Sequence, residues 1–483
     1  MLLQALIGFA SQVVSASASI VPRQSSARAF CSSSDGRYKL SEFDAPVAGI
    51  GDPGGMSTWN LTIDDTPSGH KQQITGFGAA VTDATVTVFN QLSTDKKEQL
   101  LRELMTADGV NFSLMRHTIA SSDLSGDPAY TYDDNGGNAD PSLSWFNLGD
   151  RGTAMAAMLK AMKDLNPDMT VVGSPWAPPA WMQLDRKLTG TTEQNNLDHQ
   201  YADQYAQYFV KYIQAYRDAG VPIDAITIQN EPLNSNAGFP TMYVYADEAG
   251  QLIRDKVGPA LRAAGLDTTV WAYDHNTDVP SYPQTVLNTA PDYVDAVAWH
   301  CYANPLDWSV LTDFHASNPT VAQYMTECWT SSTSTPWNQA SSFTMGPLQN
   351  WASGSIAWTL GTDTADGPRL SGSGPCPTCR GLVTVDGAGG GYEMQVDYYV
   401  LGQFSRFMAR GGTVLAGTGS YTYGDGTGLE SVASENPDGT RTVVVENKFG
   451  NDVYVRLGTK SGETWAGRVY ANSVVTWVLP AVG

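Results

Sequence analysis

Basic residues are scarce in this chain: 28 Lys and Arg face 49 Asp and Glu, giving a formal net charge of −21 and a pI near 4.5. So acidic a surface repels nucleic acid and anionic membranes, and suits a neutral partner in an acidic medium. Cysteine is equally scarce. Five in 483 residues are too few for a disulfide scaffold, and no second pair completes a zinc set with Cys376-Pro377-Thr378-Cys379. The six histidines and the carboxylates show no short ligand spacing, so neither metal nor cofactor is implied. No Gly-x-Ser-x-Gly elbow is present, which disfavours a serine hydrolase. No glycine-rich phosphate loop follows a strand, Gly76-Phe77-Gly78 being too brief. Beyond the first residues no run is long and apolar enough to span a bilayer. Internal repeats and low-complexity tracts are absent.

What is present begins with an apolar run over residues 1–18 that ends in small residues. It reads as a secretory signal peptide cleaved near Ala16 or Ala18, and the expectation is a secreted, extracellular and monomeric protein. Residues 19–32 are polar and read as a linker or pro-segment. Asn60-Leu61-Thr62 and Asn111-Phe112-Ser113 are N-glycosylation acceptors if the chain follows a eukaryotic secretory route. Cys376 and Cys379 lie in a Gly/Ser/Pro-rich loop that a disulfide between them would stiffen.

From 33 to 70 the pattern is short and strand-like. Strand-sized apolar runs then alternate with helical stretches eight times. The strand candidates are Gly76 to Thr82, Phe112 to Thr118, Thr170 to Pro175, Ala225 to Glu231, Thr269 to Tyr273, Ala296 to Tyr302, Gln323 to Glu327 and Ile356 to Leu360. Helices are clearest at Ser93 to Met105, Gly152 to Leu165, Leu197 to Ala219, Ala246 to Ala264 and Ser341 to Ala352. Helical spacing is plain in Tyr205, Phe209, Tyr212, Ile213 and Tyr216. Eight such repeats predict an α/β fold, a (β/α)8 barrel over 71–408. A long polar loop to about Asp386 and one more helix around Val396 to Met408 follow. The segment 409–483 alternates strands with turns, and the 33–70 stretch can pair with it into one flanking β-sandwich built from both chain ends.

In such a barrel the carboxyl ends of the strands carry the chemistry. Asn230-Glu231-Pro232 ends one strand and Glu327 another. Either glutamate alone is an ordinary end-of-strand residue; two carboxylates facing across a cleft are what glycosidic bond cleavage requires. The same rim collects Arg116 and His117, Asp123, Trp176 and Trp181, Asp274 and His275, His300 and Tyr302, and Trp358. A neutral polyhydroxylated ring with apolar faces suits those acids, hydrogen-bonding groups and aromatics. Asp274 and His275 read as loop anchors, Trp299 and Tyr324 as core, and Trp181 as either a cleft platform or loop core. Cys301 and Cys328 each follow an inward-facing residue and read as buried thiols.

Gly76-Phe77-Gly78-Ala79-Ala80-Val81-Thr82-Asp83-Ala84, Ser174-Pro175-Trp176, Gln229-Asn230-Glu231-Pro232, His300-Cys301-Tyr302 and Thr326-Glu327-Cys328 resemble the signature stretches of glycoside hydrolase family 30. The resemblance spans roughly residues 70 to 480 and is greatest to secreted fungal endo-β-1,6-glucanases. It implies that Glu231 is the general acid/base and Glu327 the nucleophile of a retaining mechanism. Asn230 would bond the sugar 2-hydroxyl, Arg116 would brace the nucleophile, and Asp123, Trp176, Trp358, His300 and Tyr302 would hold the ring being cleaved. The implied partner is β-1,6-linked glucan; relatives of the family cleaving β-1,6-galactan, xylan or glucosylceramide are the alternatives. A catalytically silent wall-binding protein would require one carboxylate to be lost, and both are present. The mechanism demands a protonated Glu231 and a charged Glu327, with the carboxyls about 5–5.5 Å apart.

Overall fold

The computed structural model describes residues 26–189, 195–234, 238–331, 333, 336–417 and 419–482. The expected signal peptide and its cleavage site lie outside the described residues.

Eight parallel strands close a barrel in chain order: β1 (Gly76–Val81), β2 (Leu114–Ile119), β3 (Thr170–Pro175), β4 (Ala225–Thr227), β5 (Thr269–Asn276), β6 (Val294–His300), β7 (Ala322–Trp329) and β8 (Ala352–Trp358). All eight sequence candidates correspond to these strands. Strand β4 stops at Thr227, three residues short of Asn230, so the Asn230-Glu231 pair sits on the loop beyond it. Gly78 has to be glycine: a Cβ there would collide with the Leu114 carbonyl oxygen on the neighbouring strand. Inside the lower barrel, Leu114, Val172, Ala225, Trp271, Ala296, Ala298, Tyr324 and Ile356 form one buried cluster. Trp271 and Tyr324 stack at its centre, with ring centroids 4.0 Å apart and planes 2° from parallel. This plug is a packed floor, so chemistry is confined to the upper rim.

The helix Ala202–Asp218 packs Tyr205, Tyr208, Phe209, Tyr212, Ile213 and Tyr216 against the barrel, all buried. Tyr205 spends its hydroxyl on the Ile228 carbonyl at 2.7 Å, which ties this helix to the loop that carries Asn230 and Glu231. The 246–264 helix is divided into Ala246–Leu252, a π-helical turn Ile253–Val257 and Gly258–Ala263. Between β8 and the helix Val396–Ser405, the expected long loop contains a small sheet of Gly361–Asp363, Val383–Asp386 and Gly391–Met394. Its strands are three or four residues long, too short for period-two alternation to register.

The second unit is a β-sandwich to which both chain ends contribute. Ser57–Asp64 runs parallel to Val453–Thr459, and Arg28–Ser33 pairs antiparallel with Ser473–Leu479. The latter corrects the reading of 19–32 as a linker from residue 28 onward. Ala29 and Cys31 pack into the sandwich core, while Ser32 accepts a bond from Gln403 Nε2 at 2.7 Å on the barrel side. Small residues and serines disguised a strand buried on both faces. The sandwich is fastened by Arg441, fully buried and bonded to Asp65 at 2.7 Å and Glu463 at 2.6 Å.

Candidate active site at the carboxyl rim of the barrel

Asp274 is the hub of the rim. It is fully buried on β5 with φ 58, a left-handed backbone that a non-glycine residue adopts only when its surroundings impose it. Its Oδ2 accepts from Arg116 Nη2 at 2.9 Å and Thr227 Oγ1 at 2.8 Å, and also from Ser174 Oγ. Its Oδ1 accepts from Thr326 Oγ1 at 2.7 Å and faces His300 Nε2 at 3.0 Å. Five groups from strands β2, β3, β4, β6 and β7 thus meet on one carboxylate, which is held well below the usual carboxylate range by Arg116 and His300 against the pull of burial. The loop-anchor reading is corrected: Asp274 anchors the whole rim.

Arg116 distributes its guanidinium over three acceptors: Asp274, Glu327 Oε2 at 2.7 Å from Nη1, and Asn230 Oδ1 at 2.6 Å from Nη2. Tyr302 donates its hydroxyl to the other oxygen of Glu327, Oε1, at 2.9 Å. Glu231 lies opposite. Its Oε2 accepts from Asn234 Nδ2 at 2.7 Å, and its Oε1 faces His300 Nδ1 at 3.1 Å. The same Nδ1 is 3.9 Å from Glu327 Oε1. One imidazole therefore joins the two glutamates.

Both His300 nitrogens face carboxylate oxygens, Nδ1 that of Glu231 and Nε2 that of Asp274. Although burial opposes the charge, Glu327, Asp274 and Glu231 together push His300 up to about 9. The surroundings shift the two glutamates in opposite directions. Burial raises both, but His275 and His300 pull Glu231 well down. Glu327 goes up through burial and the nearby charges of Glu231 and Asp274, with His300 and Arg116 opposing.

The cleft above these groups has a volume of about 320 Å³ and is lined by Asp123, Trp176, Asn230, Glu231, Tyr302, Glu327 and Trp358 among others. Trp176 and Trp358 stack at 5.2 Å between centroids, with the Arg116 guanidinium 4.9 Å from the Trp176 ring centre. Asp123 is pushed up to about 7 by burial and by the charge of Glu327. Arg116 and His300 do not line the cleft; both are fully buried beneath its floor, so they act on substrate through the glutamates.

Several rim candidates turn elsewhere. His117 faces outward against Tyr212 and Tyr216, and burial lowers it to about 3. Trp181 is core, 1% exposed, with its indole N–H bonded to the Asp133 carbonyl at 2.9 Å. Trp299 is core as expected, donating to Gln323 at 3.0 Å.

Cys376 and Cys379 pair on the cleft wall. Cys301 and Cys328 are not free thiols: they form a disulfide. His300 and Glu327 are register partners across β6 and β7, so the residue after each points outward beside its counterpart, with Cα atoms 5.4 Å apart. Alternation along each strand predicts their direction, but only the register reveals that they meet. Phe239, Trp329 and Gly374 also line the cleft. Phe239 and Gly374 come from loops with no periodic signal. Trp329 continues the apolar run beyond Glu327, and that tryptophan-after-glutamate step was the available clue.

The family model described as glycosyl hydrolase family 30 TIM-barrel domain matches residues 74–408, and that described as glycosyl hydrolase family 30 beta sandwich domain matches 417–477. A protein named endo-1,6-beta-D-glucanase from Neurospora crassa is 66% identical over 458 residues, covering 94% of this chain and 95% of its own. An endo-1,6-beta-D-glucanase from Aspergillus fumigatus is 63% identical over 470 residues, covering 95% and 96%. The solved structure of the endo-beta1,6-glucanase BT3312 superposes with a TM-score of 0.82 at 26% identity, over 95% of this chain and 99% of that one. Two family models in order along one chain, on a barrel and sandwich of matching architecture, establish that the chain belongs to glycoside hydrolase family 30.

Proposed function

We propose that this enzyme hydrolyses internal β-1,6-glucosidic bonds of β-1,6-glucan with retention of anomeric configuration, Glu231 serving as acid/base and Glu327 as nucleophile. The observation that carries the reading is the bridge through His300 Nδ1, 3.1 Å from Glu231 Oε1 and 3.9 Å from Glu327 Oε1. Those two distances together cap the gap between the oxygens. That limit on one oxygen pair is compatible with the roughly 5–5.5 Å carboxyl separation of retaining enzymes. The names of the relatives support the linkage.

In the first step a Glu327 oxygen attacks the anomeric carbon while Glu231 gives its proton to the departing glycosidic oxygen. In the second, Glu231 takes a proton from water, and that water displaces Glu327. Positive charge developing at the anomeric carbon favours the charged form of Glu327, next to the reacting carbon, while Glu231 carries the proton that it gives to the leaving oxygen. Arg116 and Tyr302 keep the attacking carboxylate aimed, and the Trp176–Trp358 stack offers an apolar face to a sugar ring.

The remaining expectations belong to the same reading. The signal-like first 18 residues and the acidic surface suit a secreted monomer acting on an external neutral polymer. Among the described residues no helix is long and apolar enough to cross a membrane. Product analysis on β-1,6-glucan, with β-1,6-galactan and xylan in parallel, tests the substrate. A ladder of β-1,6-linked glucose oligomers from the glucan alone is the expected result. Exclusive release of monomer would refute the endo mode, and activity on galactan or xylan alone would refute the sugar assignment.

A further inference from the structure

Glu231, His275 and His300 each offer one ligand atom, and the three atoms lie within 4.8 Å of one another. They come from the loop after β4, from β5 and from the end of β6, which is why no sequence spacing announces them. Glu231 Oε1 is 3.1 Å from His300 Nδ1 and 3.7 Å from His275 Nδ1. Four ligands around a tetrahedral ion with bonds of about 2.0–2.1 Å sit roughly 3.3 Å apart; the two separations from Glu231 Oε1 bracket that value, and the two histidine ligand atoms lie within 4.8 Å of each other.

Three further features describe a prepared site. His275 is 9% exposed, and its Nδ1 has no hydrogen-bond partner yet points at Glu231. His300 has its other nitrogen on the Asp274 carboxylate at 3.0 Å, the carboxylate–histidine arrangement that fixes a metal-binding imidazole. Glu231 has its other oxygen held by Asn234 at 2.7 Å, leaving Oε1 turned to the histidines. Glu231 itself lines the cleft, which gives the three groups access to solvent.

We propose that these three side chains form a binding site for a divalent transition-metal ion of the zinc class, and that an ion there switches the enzyme off. Two imidazoles and one carboxylate select Zn²⁺ or Cu²⁺ over Ca²⁺ and Mg²⁺, which need more oxygen ligands. Binding releases to solvent the proton on His300 Nδ1, and any proton on Glu231, and occupies the oxygen that would otherwise carry the proton for catalysis. The binding stands on geometry alone; the inhibition rests on Glu231 being the acid/base.

The test is calorimetric titration of the full chain with ZnCl₂, alongside visible absorption with Co²⁺ and hydrolysis assays in which each variant is compared with its own metal-free rate. One equivalent of Zn²⁺ binds, a Co²⁺ ligand-field band appears, and a chelator restores the inhibited rate. Both His275→Asn and His275→Gln bind Zn²⁺ at least about tenfold more weakly, as does Glu231→Gln. Absence of saturable binding or of the Co²⁺ band in the unaltered protein would overturn the site without reference to any variant. Undiminished binding in both His275 variants would overturn it as well. Binding as described with no loss of hydrolysis would uphold the site and instead refute Glu231 as the acid/base.

Discussion

Arg116 Nη1 donates to Glu327 Oε2 at 2.7 Å from a guanidinium with no solvent exposure. The same group holds Asn230 and Asp274, so its planar fork sets three side chains at once. A lysine has one charged nitrogen and cannot reach all three in that plane. Arg116→Lys is therefore expected to lower kcat by about tenfold or more and to leave KM far less changed, because the loss falls on the aim of Glu327 and Arg116 lies beneath the cleft floor. Removing the cation outright in Arg116→Ala leaves buried acids uncompensated, at a cost of about 3–5 kcal/mol of stability. Steady-state kinetics with thermal melts checks both; a wild-type kcat in Arg116→Lys would detach the arginine from catalysis.

The two glutamates should separate by the leaving group they need. Glu327→Gln removes the nucleophile and should abolish turnover of every substrate while oligosaccharide binding persists. Glu231→Gln removes the proton donor, a loss of about 10²–10⁴-fold on glucan, but much less on an aryl glucoside whose phenolate departs unaided. The ratio of the two rates in Glu231→Gln is the measurement. Equal losses on both substrates would contradict the assignment of acid and nucleophile.

The barrel was readable because each strand is a short apolar run, and the two glutamates because each follows such a run, Glu231 on the loop after β4 and Glu327 near the end of β7. Arg116 was readable for the same reason. What stayed hidden depends on how neighbouring strands register. Asp274 looks like any polar residue late in a strand; its role exists only where five strands bring donors to it. The Cys301–Cys328 bond, and the meeting of His300 with Glu231 and Glu327, are equally properties of how the strands pair. Arg28–Ser33 was missed for another reason: a strand buried on both faces by small polar residues has no alternation to read.

Glu446 gives a pH prediction away from the active site. It is fully buried in the sandwich strand Arg441–Asn447, and burial, opposed by Lys448, pushes it up from 4.5 to about 8. The folded chain therefore holds a proton that the unfolded chain has released between those values. Stability from this group is fully present below about pH 4.5 and is lost as the pH rises towards 8. Glu446→Gln keeps the neutral shape at every pH, so its melting temperature should exceed that of the unaltered protein at pH 8 and approach it at pH 4.5. Parallel curves across that range would mean that the carboxyl does not titrate on folding.

The two disulfides should contribute unequally. Cys301–Cys328 closes a span of 27 residues and Cys376–Cys379 a span of 3. Loop-closure entropy then assigns about 3–4 kcal/mol to the first and about 1–2 kcal/mol to the second. The first also ties the residue after His300 to the residue after Glu327, and Tyr302, the hydroxyl donor to Glu327, is the next residue beyond Cys301. Cys301→Ser with Cys328→Ser should therefore lower the melting temperature more than Cys376→Ser with Cys379→Ser, and should lower kcat with every substrate. The second pair walls the cleft, so its loss should act chiefly on KM for long oligomers and spare small aryl glucosides. Melts and chain-length kinetics on the two double variants decide this. An undiminished kcat in the first would show that β6 and β7 hold Tyr302 and Glu327 in register by their backbone hydrogen bonds alone.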